Sequence, residues 1–83
     1  MNILYFSWIK DKLGKTKENI TIDENISSVS ELITFLKSKD EAYKEVFKDI
    51  SSIRVSINME TANIEDPISI NDEIAFFPPM TGG

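Results

Sequence analysis

The feature that most constrains the fold is an apolar run that two prolines interrupt shortly before the chain ends. Residues 74–77, Ile-Ala-Phe-Phe, have the composition of a buried strand. Pro78 and Pro79 have no backbone N–H and cannot donate to a sheet ladder, so the strand must end at Phe77. The six residues of 78–83, when extended, reach about 20 Å beyond it. The sequence therefore predicts a domain over residues 1–77 and an extended, flexible tail over residues 78–83.

The tail ends in two glycines, Gly82 and Gly83. Without a Cβ atom, a diglycine can pass through a slot that is too narrow for other residues. No charged side chain follows Glu73, so the terminal carboxylate is the only anionic group on the tail. Small residues at a chain end are also typical of a frayed terminus. The stiff Pro-Pro departure instead favours a carboxylate that is held out for another protein.

Composition excludes several classes of function. The 83 residues are enough for one domain and contain neither cysteine nor histidine. Disulfides and thiolate chemistry are therefore excluded, and the commonest general base and metal ligand is missing. A strand-like segment starts at Asn2, and no apolar run has membrane-spanning length. We expect a cytoplasmic protein that binds no metal and no membrane.

The net charge of −5 comes from one part of the chain. Residues 1–54 contain nine acidic and nine basic side chains, whereas residues 55–83 contain five acidic side chains and no basic one. An acidic segment of this kind is a poor nucleic-acid ligand and suits a basic protein surface, although it also serves solubility. Because the tail belongs to this segment, the sequence predicts basic partner surfaces around the tail.

The N-terminal third is predicted to form two paired strands. Residues 3–8 are β-prone and apolar on both faces, which is typical of a central strand. Residues 10–17 are polar, and Gly14 is the predicted turn residue. Residues 18–23 alternate, with Ile20 and Ile22 on one side, and are predicted to pair with the first strand.

Two helices are predicted next. Ser28 and Glu31 have the spacing of a capping box, and an apolar stripe at i, i+3, i+4 and i+7 follows as far as Ser38. The stripe consists of Val29, Leu32, Ile33 and Leu36. Asp40 can cap a shorter helix that repeats this spacing, and Ser51-Ser52 would end it.

The rest of the chain completes a mixed sheet. Residues 53–58 alternate as a third strand, residues 59–66 form a turn or short hairpin, and residues 67–70 form a short edge segment. Asn71-Asp72 makes a turn before the final strand, which should lie beside the first strand at the centre of the sheet. The predicted fold class is α+β, with one main helix across a mixed sheet. This element order is that of the β-grasp fold seen in ubiquitin.

No catalytic constellation is present. Phosphate-loop, dinucleotide-binding, Ser-His-Asp and metal-ligand patterns are all absent. The adjacent acidic pairs fall in predicted turns and helix starts, where acids are expected on structural grounds. Strand alternation sends Phe76 and Phe77 to opposite faces, so one belongs to the core and the other can face a partner. The sequence does not decide which.

The run from Asp72 to Gly83 closely resembles the end of the small subunit of molybdopterin synthase, the MoaD family. Weaker similarity covers residues 3–7, the strand of residues 55–58 and the total length. Two residues depart from the family pattern: Asn71 stands where glycine is frequent, and Met80 where a smaller β-branched residue is common. Neither change touches the glycines.

The resemblance implies a β-grasp sulfur carrier whose working residue is Gly83. An E1-like adenylyltransferase would consume ATP to adenylate the Gly83 carboxylate, and a sulfur donor would convert it to a thiocarboxylate. The large synthase subunit, in a complex of two large and two small subunits, would then use this sulfur to build the dithiolene of molybdopterin from cyclic pyranopterin monophosphate. The chain would be a sulfur-donating subunit with no stably bound cofactor. The residues that would enter the partner are Phe77, Pro78, Pro79, Met80, Thr81 and Gly82.

Two other functions remain open at this stage. A thiamine-pathway sulfur carrier would share the diglycine, but such carriers are usually shorter and lack the Phe-Phe-Pro-Pro approach. A ubiquitin-like modifier attached through Gly83, or a plain binding module, would share the fold, and fold alone does not separate these functions.

Overall fold

A five-stranded mixed sheet with helices on one face is the frame of residues 1–79, the part of the chain that the computed structural model describes. The elements in chain order are β1 Asn2–Tyr5, α1 Ser7–Leu13, β2 Lys17–Asn19, α2 Val29–Lys37, α3 Glu41–Phe47, a 3-10 turn Ile50–Ser52, β3 Arg54–Ile57, β4 Glu60–Ala62 and β5 Glu73–Phe77. The strands lie in the order β2-β1-β5-β3-β4. Strands β1 and β5 are parallel, and the other pairs are antiparallel.

The first and last strands lie side by side at the centre of the sheet, which confirms the prediction made from their apolar character. Ile3 is in register with Ile74, and Tyr5 with Phe76. These four side chains are almost completely buried and join residues of all three helices in one core. Fully burying such a side chain contributes roughly 1.5–3 kcal/mol, so this central pair holds the root of the tail on a rigid support.

Both predicted helices and their N-terminal caps are confirmed, but the second helix ends at Phe47 rather than at Ser51-Ser52, because Asp49 caps a separate 3-10 turn over Ile50–Ser52. The Ser28 side chain accepts a hydrogen bond from the Glu31 backbone N–H at 3.2 Å, and the Glu31 carboxylate accepts one from the Ser27 backbone N–H at 2.9 Å. The Asp40 carboxylate accepts from the Ala42 N–H at 2.9 Å at the start of α3. The apolar stripe of α2 is buried as predicted, because a helix is stabilised mainly by packing of its apolar face.

Helix α1 corrects the sequence prediction for residues 6–13. The first strand ends at Tyr5, and Ser7, with φ 57°, turns the chain into a helix that ends at Gly14, with φ 73°. The physical reason is Ile9, which is completely buried in the core beneath the sheet. A continuing strand would carry it away from that core. The predicted turn residue Gly14 is confirmed, as the left-handed residue that ends the helix.

Two edge segments are shorter than predicted. Strand β2 is Lys17–Asn19, so the predicted strand over residues 18–23 is wrong for its second half. Ile20 instead exchanges hydrogen bonds with Met1, and both Ile20 and Ile22 are buried beyond the end of the strand. The segment of residues 67–70 forms a single bridge, between Ser28 and Pro67, rather than a strand. Burial outside a strand accounts for Ile20, Ile22 and Ile68, whereas Ile70 is exposed.

The remaining strands follow the predicted order. Strand β3 covers most of the predicted residues 53–58, and a tight turn at Asn58 and Met59, with φ 51° and 72°, leads into β4. This pairing realises the short hairpin predicted within residues 59–66. Strand β5 begins at Glu73, directly after the turn at Asn71-Asp72.

Candidate functional site

Strand β5 lies in the middle of the sheet and ends at Phe77. Phe76 is completely buried and packs edge-on against Phe47, with ring centroids 5.0 Å apart, and stacks on Tyr5 at 6.3 Å. Phe77 is half-buried and points to the face opposite the helices, because neighbouring strand residues alternate. The structure thus resolves what the sequence left open: Phe76 is the core residue and Phe77 faces outward.

Pro78 and Pro79 follow Phe77 outside any regular element, and both are half-buried. The sheet ladder ends with the Phe77–Arg54 pair, as expected for residues that lack an N–H. The other predicted tail residues, Met80, Thr81, Gly82 and Gly83, lie outside the described residues. The division into a domain over residues 1–77 and a flexible tail over residues 78–83 therefore stays a prediction.

An apolar patch surrounds the point where the tail leaves the sheet. Leu4 lies beside Ala75 in the parallel pair, and the Phe6 backbone N–H donates to the Phe76 carbonyl at 3.1 Å. The Phe6 side chain is 47% exposed, which is unusual for a large aromatic residue beside a central strand. We call Leu4, Phe6, Ala75 and Phe77 the tail-root patch. Phe6 is exposed, Leu4 and Phe77 are half-buried and Ala75 is buried, so the patch is exposed mainly at Phe6; exposed apolar surface of this kind marks contact sites for other proteins.

Basic side chains flank the tail-root patch. Arg54 is exposed and is in register with Phe77. Lys10 and Lys17 line a shallow groove together with Leu4 and Phe6. Glu73 stands at the start of β5, four residues before Phe77, whereas Glu65 lines a shallow groove together with Arg54. The expectation of a basic partner surface around the tail stays a prediction.

The acidic pairs serve turns and helix caps, which confirms the structural interpretation of them. Asp23 accepts a hydrogen bond from the Asn25 N–H at 2.8 Å, Asp66 from the Asn63 N–H at 2.9 Å, and Asp72 from the Ser69 N–H at 2.8 Å. Within residues 1–79, no three acidic side chains converge as a metal site would require.

One polar cluster joins the sheet to α3 away from the tail root. The half-buried Glu18 carboxylate accepts from the hydroxyls of Tyr5 and Tyr43 and pairs with Lys39 at 3.2 Å and Lys15 at 3.4 Å. Burial by itself raises the pKa of Glu18, but the hydrogen bonds from Tyr43 and Lys39 and the lysine charges outweigh it, so this pKa is below its ordinary value. Burial, and then the Glu18 charge, raises the pKa of Tyr5. The cluster connects β1 and β2 to α3 and therefore stabilises the fold.

Sequence reasoning missed Phe6 and Arg54 as residues of the site. Phe6 was assigned to one face of a longer strand, although the pair Ile9 and Leu13 followed by Gly14 has the spacing and the terminating residue of a short helix. Recognising that helix would have left Phe6 at an exposed strand end. No helix within the described residues is long and apolar enough to cross a membrane.

Comparison with known proteins finds relatives and solved structures that match almost the whole of this chain. The molybdopterin synthase sulfur carrier subunit of Dictyostelium discoideum is 31% identical and aligns with 98% of this chain and 93% of its own length. That of Haemophilus influenzae is 26% identical over 100% of this chain and 99% of its own length. Among solved structures, SAMP1 from Haloferax volcanii superposes with a TM-score of 0.78 at 26% identity and covers 100% of this chain and 98% of its own.

The family comparison covers almost the whole chain. The sequence model of the ThiS family matches residues 3–83, and the relatives at whole-chain length are named as small subunits of molybdopterin synthase, which confirms the resemblance seen in residues 72–83. The similar structures are ubiquitin-like, so the predicted β-grasp fold is confirmed as well. The chain belongs to the ThiS family and has the ubiquitin-like β-grasp fold.

Proposed function

We propose that this protein is the sulfur carrier subunit of a molybdopterin synthase. The observation that carries the proposal is the position of β5: the central strand of a rigid sheet ends at Pro78-Pro79, inside an exposed apolar patch. Whole-length similarity to proteins named as molybdopterin synthase sulfur carrier subunits supports the same function. In this proposal the residues after Pro79 are the part of the chain that a partner receives.

The proposed chemistry takes place at the Gly83 carboxylate. A carboxylate is a poor electrophile, so its oxygen first attacks the α-phosphate of ATP on an E1-like adenylyltransferase, and pyrophosphate leaves. A sulfur donor then supplies a sulfur nucleophile that attacks the acyl carbon, and AMP leaves with the bonding electron pair. The product is a thiocarboxylate. Transfer of its sulfur to the pterin precursor and hydrolysis of the acyl group regenerate the carboxylate.

This division of labour suits the residues of the chain. A carrier needs an unhindered, reachable terminus but no general base or metal of its own, because the adenylating enzyme and the synthase supply the catalytic groups. The absence of histidine and cysteine from all 83 residues is therefore compatible with a role in sulfur transfer. Gly82 and Gly83 supply the narrow terminus that a partner's active site would admit.

We further propose that the large synthase subunit docks on the tail-root patch. Phe6 and Phe77 would supply aromatic contact area next to the inserted tail, and Arg54 would lie at the rim of the interface. This arrangement uses the same rigid sheet to position both the docking surface and the first residues of the tail. The complex of two large and two small subunits remains part of this proposal.

The decisive experiment is the intact mass of the protein isolated from its native host. We expect a fraction of the chain in which one oxygen has been replaced by sulfur, and we expect that fraction to yield molybdopterin when the large subunit and the pterin precursor are added. A ubiquitin-like modifier would instead be recovered in isopeptide linkage to other proteins. Exclusive recovery of such conjugates, with no thiocarboxylate, would overturn the proposal.

A further inference from the structure

A second apolar surface lies at the end of the sheet opposite the tail root. A shallow groove there is lined by Ile22, Ile26, Ile68 and Ile70. Ile70 is 55% exposed, although isoleucine is among the residues most often buried. The groove lies between the loop after β2 and the segment before β5, and the Ile68 N–H donates to the Ser27 carbonyl at 3.0 Å across it. We call this surface the isoleucine groove.

The position of the isoleucine groove follows from the strand directions. Its residues lie just beyond Asn19, where β2 ends beside the start of β1, and just before Glu73, where β5 starts. Strand β5 then runs four residues to Phe77, a rise of about 13 Å. The isoleucine groove and the tail root therefore lie at opposite ends of β5.

The charged side chains that line the isoleucine groove are acidic, and residues 18–36, which include the loop on one side of it, contain four acidic side chains and no lysine or arginine. Asp23 and Glu24, both exposed, form the rim of the groove itself. Apolar lining with a purely acidic rim is complementary to an apolar segment with basic flanks.

The groove is preformed by hydrogen bonds at its edges. The Ile26 N–H donates to the Asp23 carbonyl at 3.1 Å, which fixes the loop on one side. On the other side, Asp72 accepts from the Ser69 N–H at 2.8 Å and from the Asn58 side chain at 2.9 Å. A preformed groove binds with less loss of conformational entropy than a surface that must first be ordered.

We propose that the isoleucine groove binds a basic amphipathic segment of a partner protein while the tail root is occupied by another. The charge disfavours other occupants: a second copy of this chain that paired groove to groove would bring the same acids to the interface, and nucleic acid and anionic membranes are themselves negative. The inference does not depend on the sulfur chemistry, because it uses only the isoleucines and acids at this end.

The test is an NMR titration of the isotopically labelled full chain with a synthetic helix-forming peptide of leucine, alanine and lysine. The matched control peptide carries glutamate in place of lysine. We expect the amide resonances of residues 22–27 and 68–71 to shift with the lysine peptide and not with the glutamate peptide, and the affinity to fall as salt is added. No shifts, equal shifts with both peptides, or shifts centred on Phe6 and Phe77 would overturn the proposal.

Variants make the test specific. Ile70→Ser removes exposed apolar area and should weaken the lysine peptide about fivefold, and the double variant Asp23→Asn, Glu24→Gln should weaken it similarly. Phe6→Ser is the matched control, because Phe6 lies at the tail root and its exposure is similar to that of Ile70. It should leave the affinity for the peptide unchanged. Thermal unfolding checks that each variant is folded, and unchanged peptide affinity in folded Ile70→Ser would overturn the proposal.

Two further measurements test the alternative occupants. Sedimentation of the unliganded chain should show a monomer, and flotation with phosphatidylglycerol vesicles should leave the chain unbound. A dimer that Ile70→Ser dissociates would assign the groove to a second copy instead. Vesicle binding that Ile70→Ser abolishes would assign it to a membrane surface, and either result would overturn the proposal of a basic protein segment.

Discussion

At the residue scale, two carboxylates show how position decides the role of an acid. The Glu18 carboxylate is half-buried, and two tyrosine hydroxyls and two lysines surround it. The Gly83 carboxylate belongs to the tail and is proposed to be the reacting group. The first stabilises the domain, and the second is proposed to react with partner enzymes. Each is therefore tested by a different measurement.

Glu18 should make stability depend on pH in the acidic range. Its folded pKa is below the ordinary value of 4.5, so its contribution is complete above that pH and is lost as the pH falls through the folded value. Glu18→Gln should lower the free energy of unfolding at neutral pH by about 1 kcal/mol. The difference from the unmodified chain should shrink as the pH falls below 4.5.

Urea unfolding of both proteins across this pH range measures the effect. Glu45→Gln is the matched control, because Glu45 is exposed and pairs only with Lys48, at 2.9 Å, on the surface of α3. Exposed pairs of this kind contribute little. A loss in Glu18→Gln that stayed constant from neutral to acidic pH would contradict the role of its charge.

Gly83 should tolerate neither extension nor deletion in sulfur transfer. An added residue converts its carboxylate to an amide, which adenylation cannot address, and deletion withdraws the terminus by about 3.5 Å. A misplacement of that size is expected to reduce a positioned reaction by about a hundredfold or more. Thiocarboxylate and molybdopterin formation with the adenylyltransferase and the large subunit are the measurements. Thermal unfolding is the control and should not change, because the core ends at Phe76.

At the scale of elements, α1 is the feature that gives the tail root its shape. The helix takes the chain away from the sheet after Phe6. The pairing of β1 with β5 therefore ends at Tyr5 and Phe76, and Phe6 stays exposed. Its two ends depend on left-handed residues, Ser7 at the start and Gly14 at the end. The buried Ile9 fixes the helix in the core between them.

Gly14→Ala should destabilise the domain by about 1 kcal/mol, because φ +73° is unfavourable for a residue with a Cβ atom. Steric contact is not the cause, since a Cβ there would have no neighbour within 4 Å. Gly14→Asn is the variant for comparison. It should lower the free energy of unfolding by less, because asparagine adopts left-handed geometry more readily than alanine. Denaturant unfolding compares the three proteins. Equal stability of all three would mean that the helix end relaxes to another conformation.

At the scale of the whole molecule, charge is separated along the sheet. Lys10, Lys17 and Arg54 flank the tail root, and the charged side chains that line the isoleucine groove, Asp23 and Glu24, are acidic. Two partners of opposite charge could then bind opposite ends of one small domain. Long-range charge of this kind acts mainly on association rates and on partner choice.

Arg54→Ala should slow association with the large subunit by about threefold at low ionic strength, and the difference should disappear at high salt. The reason is that Arg54 is the charged side chain in register with Phe77. Lys44→Ala, on the helical side, removes the same charge and should have a smaller effect on the rate. Stopped-flow association measures both. Faster association of Arg54→Ala would instead favour a basic partner surface around the tail.

The sequence by itself determined the features that depend on local chemistry. The Ser28 and Asp40 caps, the apolar stripe of α2, the turn at Gly14 and the end of β5 before Pro78 all follow from neighbouring residues. The tail motif also indicated the family, because residues 72–83 are a contiguous pattern. Local patterns survive because the interactions that stabilise them lie within a few residues.

Only the tertiary structure decided which apolar residues are covered and where the charge collects. Ile9 forms part of a helix, and Ile20 and Ile22 are buried outside a strand, because a distant core takes them up whatever their local pattern. The same holds for Phe76 and Phe77. The helices cover the face of the sheet that carries Phe76, and Phe77 lies on the other face. The parallel pairing of β1 with β5 brings Phe6 to the tail root, and the antiparallel pairing of β3 with β5 brings Arg54 there, from positions far apart in the sequence. No spacing rule contains that contact, since strand order and register arise from packing of the whole chain.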